Sequence, residues 1–324
     1  MAGAPVSNEV FDQFPECLRL IENLDLLFSS EIRSTYPGRK SYERTLLKSV
    51  IAKLELCKLE ASDSLYSRLC EAMVSAEGED QFFHRVFLDV ENDQCFVIRE
   101  NCQQISNGTT GLATWHASIC MAEFLRLGLS QVKNKQLNVL ELGSGCGLAG
   151  ICAGRYISRL SNLVLTDGNS EVLARLKQNV SLNYENNETD SAVKVNQIFV
   201  EMLDFTSYDL SNLPAVLASD VVYDLDIIPP LCSLLYDLLC LSSGAIAFIS
   251  CTIRNPDTLA AFVTSIGRRG LSIRREYLYA PGSNAFVVSS GDGKKINQHR
   301  HEFEPTFPVC SLPAWPTVIY EIVK

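Results

Sequence analysis

Histidine, tryptophan and methionine are scarce in this chain, with four, two and four copies in 324 residues. The histidines His84, His116, His299 and His301 show no metal-ligand spacing, and none lies beside a serine or cysteine elbow. A metal site and Ser–His or Cys–His nucleophilic catalysis are therefore not expected. The twelve cysteines, from Cys17 to Cys310, include no CxxC pair, and several fall inside apolar periodic segments as small core residues do. That usage argues against a zinc site or a disulfide framework and for a reducing cytoplasm or nucleus. No uninterrupted apolar run approaches the roughly 18 residues of a membrane span. The opening MAGAPVSNEVFDQF lacks a basic region followed by an apolar core, so no secretory signal is expected. Basic residues are few: 28 Lys and Arg against 38 Asp and Glu leave a net charge of −10, with no basic block. Such a chain gains little from phosphate counterion release, which disfavours nucleic acid as a direct partner. In a cytoplasmic protein the sequons at Asn107, Asn179 and Asn187 are chance matches.

What the chain does have is the stretch Val139 to Gly150, VLELGSGCGLAG. Val139, Leu140 and Leu142 form the apolar run of a buried parallel strand. Glu141 falls at its end, and Gly143, Gly145 and Gly147 follow at alternate positions. Glycine there lets backbone approach a ligand closely, and the helix that follows turns its free N–H groups toward it. Two cofactor readings overlap. Gly145, Gly147 and Gly150 spell the dinucleotide fingerprint GxGxxG, with Asp167 about 20 residues on. The same loop with its preceding acid also fits S-adenosylmethionine. A pyrophosphate has no use for a carboxylate at Glu141, whereas a cofactor with a cationic amino group does.

Residues 1–80 read as a helical region. Val10, Phe11, Phe14, Leu18 and Ile21 suggest one helix; Leu46, Leu47, Val50, Ile51 and Leu54 another; Leu65, Leu69 and Met73 continue after a polar break. Residues 81–108 read as a β-hairpin and linker, FFHRVFLDV and QCFVI around Glu91-Asn92-Asp93. From 109 to 324 strands and helices alternate. The spacing predicts helices over 114–128, from the glycine loop to about 157, and over 170–183, 227–241 and 256–268. It predicts strands over 137–142, 162–166, 193–200, 215–222 and 244–250. The fold class is α/β, a doubly wound Rossmann-like sheet. The last strands, 273–280, 284–289 and 317–323, have no helices between them, which predicts antiparallel pairing at the C-terminus.

Open α/β sheets bind ligands at the carboxyl ends of their strands. Asp167, ending LVLTDG, is placed to accept ribose hydroxyl hydrogen bonds, or else serves an Asp-Gly turn. Asp204 and Phe205 follow the third strand, an acid and a ring suited to an adenine, with a loop acid and a core ring as the plain alternatives. Asp220 and Tyr223, in ASDVVY, close the fourth strand where a transferred group would lie. An acid and a phenol there can orient an amine and help remove its proton; Asp220 can also simply cap a helix. Trp115, after Gly108 and Gly111, is a core ring or a lid over the cleft.

NGTTGLATWHAS, VLELGSGCGLAG, LASDVVYD and FISCTIRNPDT together resemble the seven-β-strand protein-lysine methyltransferases, over a span from about residue 34 to the C-terminus. The nearest resemblance is to the branch acting on eukaryotic elongation factor 2, whose helical N-terminal region the segment STYPGRKSYERTLLKSVIAKLE is similar to. The resemblance implies a seven-stranded sheet, S-adenosyl-L-methionine as cofactor and elongation factor 2 as protein partner. It implies cofactor contacts at Trp115, Gly143, Ser144, Gly145, Asp167, Phe205 and Ser219, to which the loop adds Glu141 and Gly147 and the third strand Asp204. The family often carries Trp where this chain has Phe205. Asp220 and Tyr223 match its acid-xx-Tyr pattern and are expected to be the catalytic pair. Two other functions stay open: a methyltransferase-fold assembly protein with little catalysis, and methylation of RNA or a small molecule. The helices before residue 80 are expected either to select the protein substrate or to cover the catalytic core.

Overall fold

The computed structural model describes residues 35–56, 58–74, 81–105, 108–128, 137–158, 160–184, 197–208, 215–241, 243–280, 282–291, 300–303, 305–307 and 315–324. The helix expected around Val10 to Ile21, together with Cys17, Cys57, Asn107, Asn187, His299 and Cys310, lies outside them. The chain divides into two units, 1–85 with 100–102, and 86–99 with 103–324.

In the first unit, helices α1 (Lys40–Leu56) and α2 (Asp63–Val74) share a small core of Leu47, Val50, Leu54 and Leu65. These are the i, i+3, i+4 positions of the sequence pattern, and their burial closes the apolar stripe. Arg68 ties the two helices, reaching Glu43 at 3.5 Å and Glu71 at 2.8 Å. Strands β1 (Phe82–Asp89) and β2 (Gln94–Asn101) pair as a two-stranded sheet. Their bases fall in the first unit and residues 86–99 in the second, a finer division than a hairpin and linker of its own.

The second unit is built on one nine-stranded sheet, two strands more than the resemblance implies, because the antiparallel edge continues past Ser272–Tyr279 through Ala285–Ser290 and Arg300–Glu302. Its chain order is α3 (His116–Arg126), β3 (Leu137–Leu142), α4 (Leu148–Tyr156), β4 (Leu160–Asp167), α5 (Ser170–Tyr184), β5 (Gln197–Met202) and β6 (Ala215–Ser219). Then come α6 (Ile228–Leu241), β7 (Ile246–Thr252), α7 (Pro256–Arg268), β8 (Ser272–Tyr279), β9 (Ala285–Ser290), β10 (Arg300–Glu302) and β11 (Thr317–Val323). The strands lie in the order β10-β9-β8-β11-β7-β6-β3-β4-β5. The five from β7 to β5 are parallel, and β11, β8, β9 and β10 add antiparallel pairs. Period-two alternation sorts the core into two layers. Leu140, Leu142, Val216, Ala218, Ala247 and Ile249 pack under α6 and α7. Leu137, Val139, Ala215, Leu217 and Phe248 pack under α3, α4 and α5.

Two asparagines of α5 do the work of a neighbouring strand. Asn183 Oδ1 accepts from Val97 N at 2.9 Å while its Nδ2 donates to Val97 O at 2.7 Å. One helical turn away, Asn179 treats Arg99 the same way, at 2.9 and 3.1 Å. Residues 97 and 99 point their amide groups to one side, so this pair seals the open edge of β2. Asn179 Nδ2 also donates to Cys146 O, inside the glycine loop, at 2.8 Å.

The fourth parallel strand ends at Ser219, not at Val222 as the apolar run suggests, because Asp220 takes φ +61° and turns the chain out of the sheet. Val221 and Val222 are buried all the same, in the loop beyond.

Candidate active site

The strand order reverses direction beside β3, and a cavity of about 640 Å³ opens over the carboxyl ends of the parallel strands there. Every sequence-predicted site residue except Glu141 lines it: Trp115, Gly143, Ser144, Gly145, Gly147, Asp167, Asp204, Phe205, Ser219, Asp220 and Tyr223.

One wall is backbone. Gly143, Gly145 and Gly147 take φ of +61°, +55° and +88°, conformations that L side chains rarely adopt. At Gly147, the N-cap of α4, a Cβ would lie 2.3 Å from Leu176 Cδ1. The loop is stitched to β4: Ser144 N donates to Thr166 O at 2.7 Å, and Thr166 N to Ser144 Oγ at 3.1 Å. Thr166 Oγ1 donates to Glu141 O at 2.7 Å. Asp167 accepts from Gly145 N on one oxygen and Asn169 N on the other, both at 3.1 Å. Burial raises its carboxyl above the usual range, against the pull of those amides. The carboxylate is thus fixed at the strand end with lone pairs left for a ligand. Asp204 is exposed and accepts from Thr206 N and Oγ1 at 2.8 and 2.7 Å; those bonds hold its carboxyl below the usual range. Phe205 is half-buried against the loop, and Ser219 offers a buried hydroxyl with no hydrogen-bond partner among the described residues.

Glu141 corrects the sequence reading. It follows Leu137 and Val139 on the period of two, so its side chain enters the layer under α4 instead of the cavity. A Cβ at Gly150 would lie 2.3 Å from Glu141 Oε2, so α4 carries a glycine where the carboxyl passes. Among the described residues Oε2 has no hydrogen-bond partner. Burial pushes the carboxyl up to about 8, opposed by the Ser144 hydroxyl. The acid supports the loop from beneath and touches no ligand space.

The opposite wall is made of side chains. Asp220 N donates to Ser250 O at 2.8 Å, anchoring the left-handed turn. Its carboxylate receives both arms of Arg254, Nη1 to Oδ1 at 3.1 Å and Nη2 to Oδ2 at 2.7 Å. The same guanidinium lies over the Trp115 ring, 5.0 Å from its centroid. Trp115 Nε1 donates to Thr110 O at 2.9 Å, which fixes the ring. Arg254 is positioned by its neighbours: Arg254 N donates to Thr252 O at 2.9 Å, and Asn255 caps α7 by accepting from Asp257 N at 3.0 Å. Tyr223 stands at the mouth, 58% exposed, with its phenol raised by burial and by the charges of Asp224 and Asp167. Behind the wall His116 is buried, which lowers its pKa.

Arg254 was not foreseen as a site residue. It lies in a polar turn ahead of Asn-Pro, where a lone cation ordinarily reads as solvated. The signal available was a strand-end position matching that of Asp220 on the adjacent parallel strand, since β6 and β7 pair Ser219 with Ser250.

Among the described residues no group of three or more His, Cys, Asp or Glu could hold a metal ion, and no helix is long and apolar enough to cross a membrane. Residues 93–268 match the lysine methyltransferase family. Protein-lysine N-methyltransferase EEF2KMT of Homo sapiens is 32% identical over 246 residues, 73% of this chain and 73% of that protein. Protein-lysine N-methyltransferase EFM3 of Chaetomium thermophilum is 32% identical over 180 residues, 54% of this chain and 52% of that relative. Its namesake in Saccharomyces cerevisiae is 29% identical over 226 residues, 66% of each chain.

Proposed function

Because this chain belongs to the lysine methyltransferase family, we propose that it methylates a lysine of eukaryotic elongation factor 2 with S-adenosyl-L-methionine as cofactor, in the cytoplasm. The observation that carries the reading is the two-walled cavity, with a glycine loop and Asp167 on one side and Asp220, Trp115 and Tyr223 on the other. The residues present fit that cofactor. Asp167 would hold the ribose hydroxyls, Phe205 the adenine face and the Gly143–Gly147 backbone the amino-acid end, while the partnerless Ser219 hydroxyl is free to bond it. When bound, the cofactor supplies an electrophilic methyl group.

The chain's own task is to bring a neutral amine in line with that methyl. A free lysine has a pKa near 10.4, so only about one in two thousand is neutral at pH 7. Selecting that form needs desolvation and an acceptor for the lost proton. Trp115 and Tyr223 supply apolar surface at the mouth, and the Asp220 oxygens can accept an N–H of the amine and fix its direction. The open mouth at Tyr223 suits a side chain carried by another protein. Both namesakes in the family act, by name, on protein lysine, which supports a protein over RNA or a small molecule; the intact loop, Asp167 and Asp220 support catalysis over assembly alone.

The test incubates the protein and labelled cofactor with purified elongation factor 2 and, in parallel, with a cytoplasmic lysate, the label then located by mass spectrometry. A methylated lysine in elongation factor 2 is expected. Label on another lysate protein alone overturns the substrate, and label on RNA or small molecules alone overturns protein methylation.

A further inference from the structure

We infer that Arg254 is a positioning residue for the acceptor amine: its guanidinium, stacked on Trp115 and forked onto Asp220, lets Asp220 orient the substrate lysine without holding a proton on it. The inference rests on the lysine-transfer reading above and adds a residue and an electrostatic role to it. A carboxylate beside an incoming ammonium favours the charged form and raises its pKa. Asp220 alone would therefore oppose the chemistry it is placed to assist. The two-armed contact of Arg254, at 3.1 and 2.7 Å, cancels that charge; Oδ1 also accepts from Thr252 N at 3.4 Å, so it is Oδ2 that keeps a lone pair for the amine. Arginine suits the task because it stays charged at any working pH and its flat fork stacks on an indole. Trp115 holds the fork in place at 5.0 Å and is itself tethered to Thr110.

The other titratable groups near the pair come from each surrounding element. From α3, His116 has its pKa lowered by burial and Cys120 is pushed up to about 12, so neither carries charge near neutral pH. From β7, burial also raises Cys251. Tyr223, Asp226 and Asp167 share the cavity. Among the described residues lining it Arg254 is the one cation, so it is the group placed to offset the carboxylates there.

The experiment uses the full chain with Arg254→Met, Arg254→Gln and Arg254→Lys. Turnover is followed against pH at saturating substrate, and S-adenosylhomocysteine affinity by calorimetry. In the two neutral variants the acid limb of the turnover profile should move up by roughly one pH unit or more. Turnover near pH 7 should then fall about tenfold, and recover toward wild type above about pH 9. Arg254→Lys should return most of the limb's position, and cofactor affinity should stay within about threefold in all three. An unmoved acid limb overturns the inference, as does a loss equal at every pH or a parallel loss of cofactor affinity. Arg254 is partly exposed, so the variants are expected to fold, and thermal unfolding checks each. A wild-type enzyme that labels another lysate protein in place of elongation factor 2 overturns the substrate reading alone, and the profiles are then run on that protein. A wild-type enzyme that methylates no protein overturns both.

Discussion

The two walls of the cavity are held by different kinds of bond. The glycine-loop wall is held through its own backbone: Ser144 N donates to Thr166 O, Gly145 N donates to Asp167, and Cys146 O accepts from Asn179 Nδ2. The Asp220 wall is fixed by side chains, an ion pair and a stacked ring, on a turn that keeps a non-glycine residue at φ +61°. A backbone wall is rigid and tolerates no added atoms, which suits a ligand of constant shape. A side-chain wall can rearrange and tune charge, which suits an acceptor delivered by another protein. The first should therefore respond to mutation through affinity and stability, and the second through turnover.

The largest effect should come from the side-chain wall. Asp220→Ala is expected to lower turnover by about 10²–10³-fold while S-adenosylhomocysteine affinity stays within about threefold. Single-turnover kinetics with calorimetry checks this, and equal losses in both would erase the distinction between the walls. Next, Gly147→Ala places a Cβ at φ +88° and 2.3 Å from Leu176 Cδ1. The backbone strain is roughly 1–2 kcal/mol and the clash adds to it, so urea unfolding should show a loss of about 3 kcal/mol. Wild-type stability there would mean the loop adapts and is no rigid wall. Asp167→Asn should weaken S-adenosylhomocysteine binding by about 10- to 100-fold, the worth of a charged hydrogen bond, with turnover at saturating cofactor nearly kept. A turnover defect with intact binding would assign Asp167 to the wrong wall.

Glu141→Gln touches neither wall from the ligand side and is read by its sign. Folded Glu141 keeps its proton up to about pH 8, whereas an unfolded glutamate releases it near its ordinary value of 4.5. The folded state binds more protons through that window, so wild-type stability falls as pH rises from about 5 to 8. Glutamine has no proton to lose, so the variant gains on the wild type across the window by up to a few kcal/mol. Parallel unfolding curves at both ends of the window would show that Glu141 is not the buried acid the geometry makes it.

The backbone wall was also the legible one. Glycines at alternate positions after an apolar strand report a backbone requirement directly, and 137–142, 256–268 and 317–323 came out at the observed bounds. Strand 215–222 was overrun because Val221 and Val222 are apolar for a buried loop, not for a sheet. The strand Arg300–Glu302 carries three exposed polar residues and leaves no alternation to read. Glu141 was misplaced because its charge was weighed and its parity along the strand was not. Arg254 stayed hidden because a partnership across two chain segments is a property of the fold: Asp220 is 34 residues away.

Asn179 has a consequence beyond packing. Its side chain is fully buried and bonded both to Arg99 and to Cys146 O, so the cofactor loop and the hairpin share one clasp. Amide hydrogen exchange at Val97 and Arg99 should then slow together with that at Gly145 and Gly147 when ligand fills the cavity. The Asn179-Val180-Ser181 sequon is closed by the same clasp, since an oligosaccharyl transfer to that nitrogen would require the folded helix to give up its hold on both partners.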